Sequence, residues 1–241
     1  MSYQRLVSGR AIAIASRLGG NSLAFTGCSG HIAAMGRRYG GEWHAIPNFV
    51  NTDFYEWTAA VPPDAPLVFL SRVEELKGPH LAIEIAKGSG RTLVIAGNHS
   101  EHGEDGRFWR DRILPEIGRN GIEYVGPVDD GAKANLLKRA AALVVPVQWD
   151  EPFGIVFAEA LACGTPVIAC PRGALPEIVE DGVHGFLVRS VDQGIDAVRR
   201  LESLKRTLCR RQAESKFSAG VVVATYERLY ATMIDRSRRI A

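Results

Sequence analysis

From about residue 67 onward, short apolar, β-branched runs alternate with segments of helical periodicity. The runs LVFLS (67–71), TLVIAG (92–97), IEYVG (122–126), ALVVPV (142–147) and PVIAC (166–170) are bounded by glycine, proline or charged clusters. Near-continuous apolarity is what strands buried on both faces of a parallel sheet require. Between them lie GPHLAIEIAKGSG, the charged stretch around FWRDRILPEI, DGAKANLLKRA and FGIVFAEALACG, the last with Gly164 placed to end a helix. Strand–helix alternation of this kind predicts an α/β domain with a doubly wound parallel sheet, Rossmann-like in its plan. Ligands of such sheets sit beyond the carboxyl ends of the strands.

The flanks read differently. Before residue 48 the pattern predicts a helix over 3–18, a short strand over 22–27, a helix from Ser29 to Arg38 and a strand over 42–46. Pro47-Asn48 marks a turn. That is a short, incomplete segment, too little for an α/β domain of its own. After the sheet, 190–206 and 218–236 read as helices, the second with Val222, Tyr226, Leu229, Tyr230 and Met233 recurring on one face. No internal repeat stands out.

Composition narrows the class. Of 241 residues, 46% are hydrophobic and 23% charged, as expected of a soluble globular protein. No stretch approaches the ~20 apolar residues needed to cross a bilayer, and the N-terminus lacks the uninterrupted apolar core of a secretion signal. The expected location is cytoplasmic. Cys28, Cys163, Cys170 and Cys209 are widely spaced, which suits buried thiols better than a disulfide framework or a zinc site. The net charge of +2 is uneven: residues 1–47 carry five Arg against one Glu, and 199–241 carry eleven Lys and Arg against four acids. The basic ends either face solvent or form a patch for an anionic partner or for peripheral contact with an inner membrane face. No nucleic-acid reader motif accompanies them, and no nucleic acid is expected.

The candidate chemistry concentrates in 150–188. Glu151 follows the run ALVVPV in a loop; Glu159 lies in the next helix, seven residues intervening. The start of that helix, Phe153-Gly154-Ile155, offers unpaired N–H groups to an anion such as a diphosphate. Gly154 leaves room for close approach. Carboxylates flanking such a site can accept hydrogen bonds from sugar hydroxyls. Arg72 and Lys77 leave the carboxyl end of LVFLS and could reach the same crevice, Arg as a fork for phosphate and Lys as a point charge. His31 and His184 read as structural. Asn98 to His102 reads as a mobile polar loop without a third metal ligand. Asp129-Asp130 reads as a helix cap. The four tryptophans look isolated, with Trp149 alone a plausible pocket wall.

In order along the chain stand I-P-N-x-V-N-T-D-x-Y (46–55), S-R-x4-K-G (71–78), E-x7-E (151–159), G-T-P-V-I-A and P-R-G-A-L-P-E-I-V-x-D-G-x-x-G-F-L-V. Together these five motifs resemble the C-terminal, donor-binding half of glycosyltransferase family 4, of GT-B fold. The resemblance implies a retaining transfer of a sugar from a nucleoside diphosphate sugar, without cofactor or divalent metal. It gives Arg72 and Lys77 the diphosphate, and Glu151, the catalytic-site acid, the sugar hydroxyls. Glu159 would bind the ribose, and the amides of Phe153, Gly154 and Ile155 would line the sugar-diphosphate site. The segment from Gly126 to Val128 would pass beside the base. It divides the chain into a remnant of the acceptor domain (1–47), the nucleotide-sugar-binding domain (48–215) and a C-terminal helix (216–241) crossing back toward the first segment.

Departures accompany the likeness: Ser71 stands where the family usually has Gly, Phe49 and Asn51 where it has Gly and Asp, and Ala174 where it has Gly. Nothing in 1–47 resembles the family's Gly-rich loop, and most of the acceptor domain is expected to be missing. A partner chain or a second copy would then complete the site. The alternative is a non-catalytic nucleotide-sugar-binding or regulatory half-protein. Base, sugar and acceptor are left open, and an epimerase of similar architecture fits the E-x7-E segment less well.

Overall fold

A computed structural model describes residues 1–4 and 8–240. Six strands form one parallel sheet: β4 (Leu67–Leu70), β5 (Leu93–Ala96), β6 (Ile122–Gly126), β7 (Ala142–Val145), β8 (Val167–Ala169) and β9 (Gly185–Leu187), in the order β6-β5-β4-β7-β8-β9. Every residue of β4, β7 and β8 is buried, as their continuous apolarity requires. Three more parallel strands, β1 (Ser2–Tyr3), β2 (Ala24–Gly27) and β3 (Glu42–Ala45), make a separate small sheet.

Chain direction sets the layers. From β4 the chain passes through α3 (Pro79–Ser89) to β5, and then through α4 (Gly103–Phe108) to β6, stepping toward one edge. It returns through α5 (Asp130–Arg139) to β7 and steps toward the other edge through α6 (Ile155–Ala162) to β8. Right-handed crossovers in opposite directions put the two helix sets on opposite faces. Accordingly α3 packs against α8 (Val191–Arg199), while α5 and α9 (Arg206–Gln212) pack against α6. The switch falls between β4 and β7, where a crevice opens at the carboxyl ends of the strands.

Several boundaries differ from the sequence reading. The predicted helix over 3–18 is helical only in α1 (Gly9–Gly19); its residues 5–7 lie outside those described. Tyr3 instead extends β1 beside β2, and its ring stacks on Trp43 at 5.2 Å and Phe25 at 6.0 Å. The helix predicted over 190–206 breaks after Arg199, passes through a 3-10 turn at Leu201–Ser203 and restarts as α9. The break lets Arg206 enter the core. There its guanidinium donates to the carbonyls of Thr58, Lys138, Ala140 and Cys163 and to Thr165 Oγ1. Such full pairing offsets the cost of a buried cation with no carboxylate beside it.

The small sheet is tied to the large one by polar contacts. Glu177, in α7 (Leu175–Ile178), accepts from the N–H groups of Gly30 and His31, both at 2.7 Å, at the start of α2 (Gly30–Arg37). Arg236, near the end of α10 (Ala219–Ile240), pairs with Glu42 of β3. All four cysteines are free, and burial pushes the Cys28 thiol up to about 11. Among the described residues no helix is long and apolar enough to cross a membrane. Ile14 and Leu18 of α1 are 51% and 83% exposed.

Candidate functional site

The crevice at the β4/β7 switch measures about 380 Å³. Ser71 and Lys77 enter it from the loop after β4, Gly97 and Asn98 from beyond β5, and Pro127 and Val128 from beyond β6. Glu151, Gly154, Ile155, Val156, Phe157 and Glu159 supply the wall formed by the loop after β7 and by α6.

The two acids are buried, at 7% and 8% exposed, and each is held in the same way. Glu151 Oε2 accepts from Lys77 Nζ at 2.7 Å and from Trp149 Nε1 at 3.1 Å. Glu159 Oε1 accepts from Tyr55 OH at 2.6 Å and from Lys133 Nζ at 2.8 Å. In both clamps the ammonium also stands over the aromatic ring, 4.7 Å from the centroid of Trp149 and 5.8 Å from that of Tyr55. Among the described residues, the second oxygen of each carboxylate has no protein partner and is not sealed from solvent. Burial pulls the Lys133 ammonium down, but bonds to Glu159, Asp130 and Tyr55 outweigh it and raise its pKa above the ordinary lysine value.

Between the acids, Gly154 is the N-cap of α6. Its φ of +77° suits glycine, and a Cβ there would stand 2.5 Å from the Phe157 ring and 2.9 Å from Glu151 Cγ. The N–H groups of Gly154, Ile155 and Val156 have no acceptor among the described residues, so the helix tip presents donors and a positive dipole end to the crevice. Glu151 is fixed from behind: its carbonyl accepts from Ala174 N at 2.8 Å, and a Cβ on Gly173 would stand 2.3 Å from that same oxygen. Ala174 has φ −83° and is fully buried, which explains how an alanine fits where the family usually has glycine.

Not every residue singled out from the sequence reaches the crevice. Arg72 does not line it; the side chain is 54% exposed and drawn onto Glu74. Phe153 is 3% exposed, and its ring packs edge-on against Phe217 at 5.6 Å. Gly126 ends β6 with φ +75° outside the wall, whereas Val128 is in it. The Asn98–His102 segment is held rather than loose: His99 stacks on Trp109 at 3.9 Å, and its Nδ1 lies 2.9 Å from Tyr124 OH. Tyr124 in turn donates to Gly97 O at 2.8 Å, at the crevice edge. Trp43 and Trp109 are therefore parts of aromatic clusters, not isolated side chains. Asp129 caps α5, its Oδ1 accepting from Ala132 N at 2.8 Å.

Sequence reasoning missed Tyr55 and Lys133. Tyr55 stood inside the 46–55 motif without a role. Lys133 carried a signal of its own: a cation near a helix N-terminus opposes the dipole unless an acid elsewhere holds it.

The six-stranded Rossmann-like sheet and its small three-stranded companion have the architecture found in GT-B glycosyltransferases. The sequence profile described as glycosyl transferases group 1 matches residues 58–216, and the chain belongs to that family. Over 145 residues it is 36% identical to the D-inositol 3-phosphate glycosyltransferase of Mycobacterium bovis, an alignment covering 58% of this chain and 30% of that protein. The chain thus matches less than a third of the length of such relatives. Among solved structures, a glycosyltransferase from Rickettsia africae superposes with a TM-score of 0.81 at 17% identity, over 97% of this chain and 70% of that one. HepE of Anabaena, solved with UDP and glucose, superposes with a TM-score of 0.74 at 20% identity, over 96% and 70%. These two likenesses concern the fold.

Proposed function

We propose that this chain binds a nucleoside diphosphate sugar in the β4/β7 crevice and serves the transfer of its glycosyl group with retention and without a divalent metal. The observation that carries the reading is the pair of buried, clamped acids flanking a helix tip with unpaired N–H groups. Glu151, with one open oxygen, is placed to accept from sugar hydroxyls; Glu159 plays the same part toward the ribose. When the anomeric C–O bond breaks, the electron pair leaves with the diphosphate, and negative charge grows on its oxygens. Lys77 and the first-turn N–H groups of α6 stabilise that charge. Arg72, held by Glu74 here, joins them only by exchanging that partner for a phosphate. For retention and independence of metal, the support is the family resemblance of the motifs.

Calorimetric titration with UDP-, GDP- and ADP-sugars tests the reading. UDP-glucose comes first because HepE has been solved with it. Wild type is expected to bind at least one donor in the presence of a chelator. The double variant Arg72→Ala, Lys77→Ala is expected to bind it roughly 100-fold more weakly, having lost two charge-assisted contacts. Absence of binding to every donor removes the proposal.

A further inference from the structure

We propose that Lys133 and Tyr55 are positioning residues: by occupying one oxygen of Glu159 they aim the other at the crevice, so that the site selects the vicinal diol of a ribose. The inference rests on the donor-site reading above, which gives the ribose to Glu159, and goes beyond it in assigning the residues that orient that carboxylate.

A carboxylate attached through an sp³–sp² torsion turns broadly, with two nearly equivalent orientations. Glu159 has lost that freedom. Its Oε1 receives both Tyr55 OH and Lys133 Nζ, which uses the two lone pairs of that oxygen. Oε2 keeps two lone pairs, has no protein partner among the described residues and is not sealed. Two adjacent hydroxyls of one ligand are the matching donor set, and a single hydroxyl leaves one acceptor position empty.

The clamp is itself held. Lys133 Nζ also meets Asp130 Oδ1 at 2.9 Å, which keeps the ammonium against Glu159 and away from other partners. Tyr55 is 5% exposed, and its ring meets Phe54 edge-on at 5.2 Å. Its carbonyl accepts from Arg210 Nη1 at 2.7 Å, and the same nitrogen donates to Ala162 O at the end of α6. One guanidinium thus ties the Tyr55 loop to the helix that carries Glu159. A carboxylate needed only for stability could be served on both oxygens; this arrangement supplies two donors to one and leaves the other open toward a pocket.

The test varies the ligand as well as the protein. Among UDP, GDP and ADP, the nucleotide that wild type binds most tightly is compared with its 2′-deoxy, 3′-deoxy and 2′,3′-dideoxy counterparts by calorimetry. Wild type is expected to bind the ribose form roughly 100-fold more tightly than the dideoxy form, because the missing hydroxyls strand a buried acceptor. Each single deoxy form should fall between. In Tyr55→Phe and in Lys133→Met the ribose-to-dideoxy ratio is expected to shrink to roughly 10-fold or less, since the Glu159 carboxylate then turns freely about its terminal torsion. A structural role alone would weaken both ligands together and leave the ratio intact. An intact ratio in both variants overturns the inference while the donor reading stands. Equal binding of ribose and dideoxy forms by wild type overturns it without recourse to any variant, so a variant that fails to fold does not protect it. If wild type binds no nucleotide at all, the donor reading and this inference fall together.

Discussion

Glu151 and Glu159 meet the same kind of clamp, a lysine and an aromatic donor on one oxygen, but the clamps are built from different parts of the fold. Of the pair that holds Glu151, Lys77 ends a single 3-10 turn (Glu75–Lys77) after β4, and Trp149 lies in the loop after β7. Lys133, which holds Glu159, stands on α5, and Tyr55 comes from 104 residues earlier in the chain, fastened by Arg210. Groups on a short turn or loop can change partner as charge develops, whereas a group on a helix, or on a loop fastened as Tyr55 is by Arg210, holds a fixed geometry. Under the proposed function, the Glu151 end serves the chemistry and the Glu159 end the recognition of the nucleotide.

The largest expected effect comes from separating the two lysines. Lys77→Met is expected to lower kcat by about 100- to 1000-fold, the usual cost of removing one donor from developing charge, with a smaller change in KM. Lys133→Met is expected to raise KM for the donor and spare most of kcat. Steady-state kinetics of each variant decide it, and the same kcat-to-KM split in both would break the distinction.

Arg210→Ala reaches the Glu159 end from behind. Loss of its bonds to the carbonyls of Thr52, Tyr55 and Ala162 is expected to cost about 2 kcal/mol in denaturant unfolding. It should also weaken nucleotide binding while leaving kcat at saturation close to wild type. A fall in kcat as large as that of Lys77→Met would contradict the division of labour.

The smallest effect separates acid unfolding from crevice chemistry. Burial pushes the imidazole of His184 below its ordinary value, and its Nδ1 accepts from Glu180 N at 3.4 Å, so the fold prefers it neutral. Below about pH 6.5 the unfolded chain takes up that proton more readily than the folded one. Stability should therefore fall as pH drops from about 6.5 toward the lowered folded value, and level off beneath it. Thermal unfolding of wild type and His184→Gln across this window should show a shallower slope for the variant.

How much of this was legible in the sequence follows from the range of each interaction. Strands β4, β7 and β8 are visible because burial on both faces leaves an uninterrupted apolar run, whereas β6, at the sheet edge, alternates buried or half-buried residues with exposed ones and is less apolar than the sequence reading supposed. Tyr3 departs from the sequence reading because two residues carry no periodicity; pairing of the Met1 and Tyr3 carbonyls with the N–H groups of Thr26 and Cys28 makes the strand, and the stack on Phe25 and Trp43 packs it. The split between α8 and α9 is hidden from sequence because its cause, the burial of Arg206 under four carbonyls from three separate segments, is tertiary. At the site, Glu151, Gly154 and Glu159 fall within nine residues and could be read together. Lys133 and Tyr55 join them only through contacts across 26 and 104 residues. Arg72 was expected in the crevice, yet Glu74 two residues on captures it, a local competition that spacing alone does not rank.

The central claim is spatial, and a crystal structure of the chain soaked with the donor that it binds tests it most directly. The diphosphate is expected against the N–H groups of Gly154 and Ile155 and the ammonium of Lys77, with the ribose hydroxyls on Glu159 Oε2. Density for the nucleotide elsewhere, such as the crevice between α3 and α8 lined by Arg172 and Arg189, would contradict it.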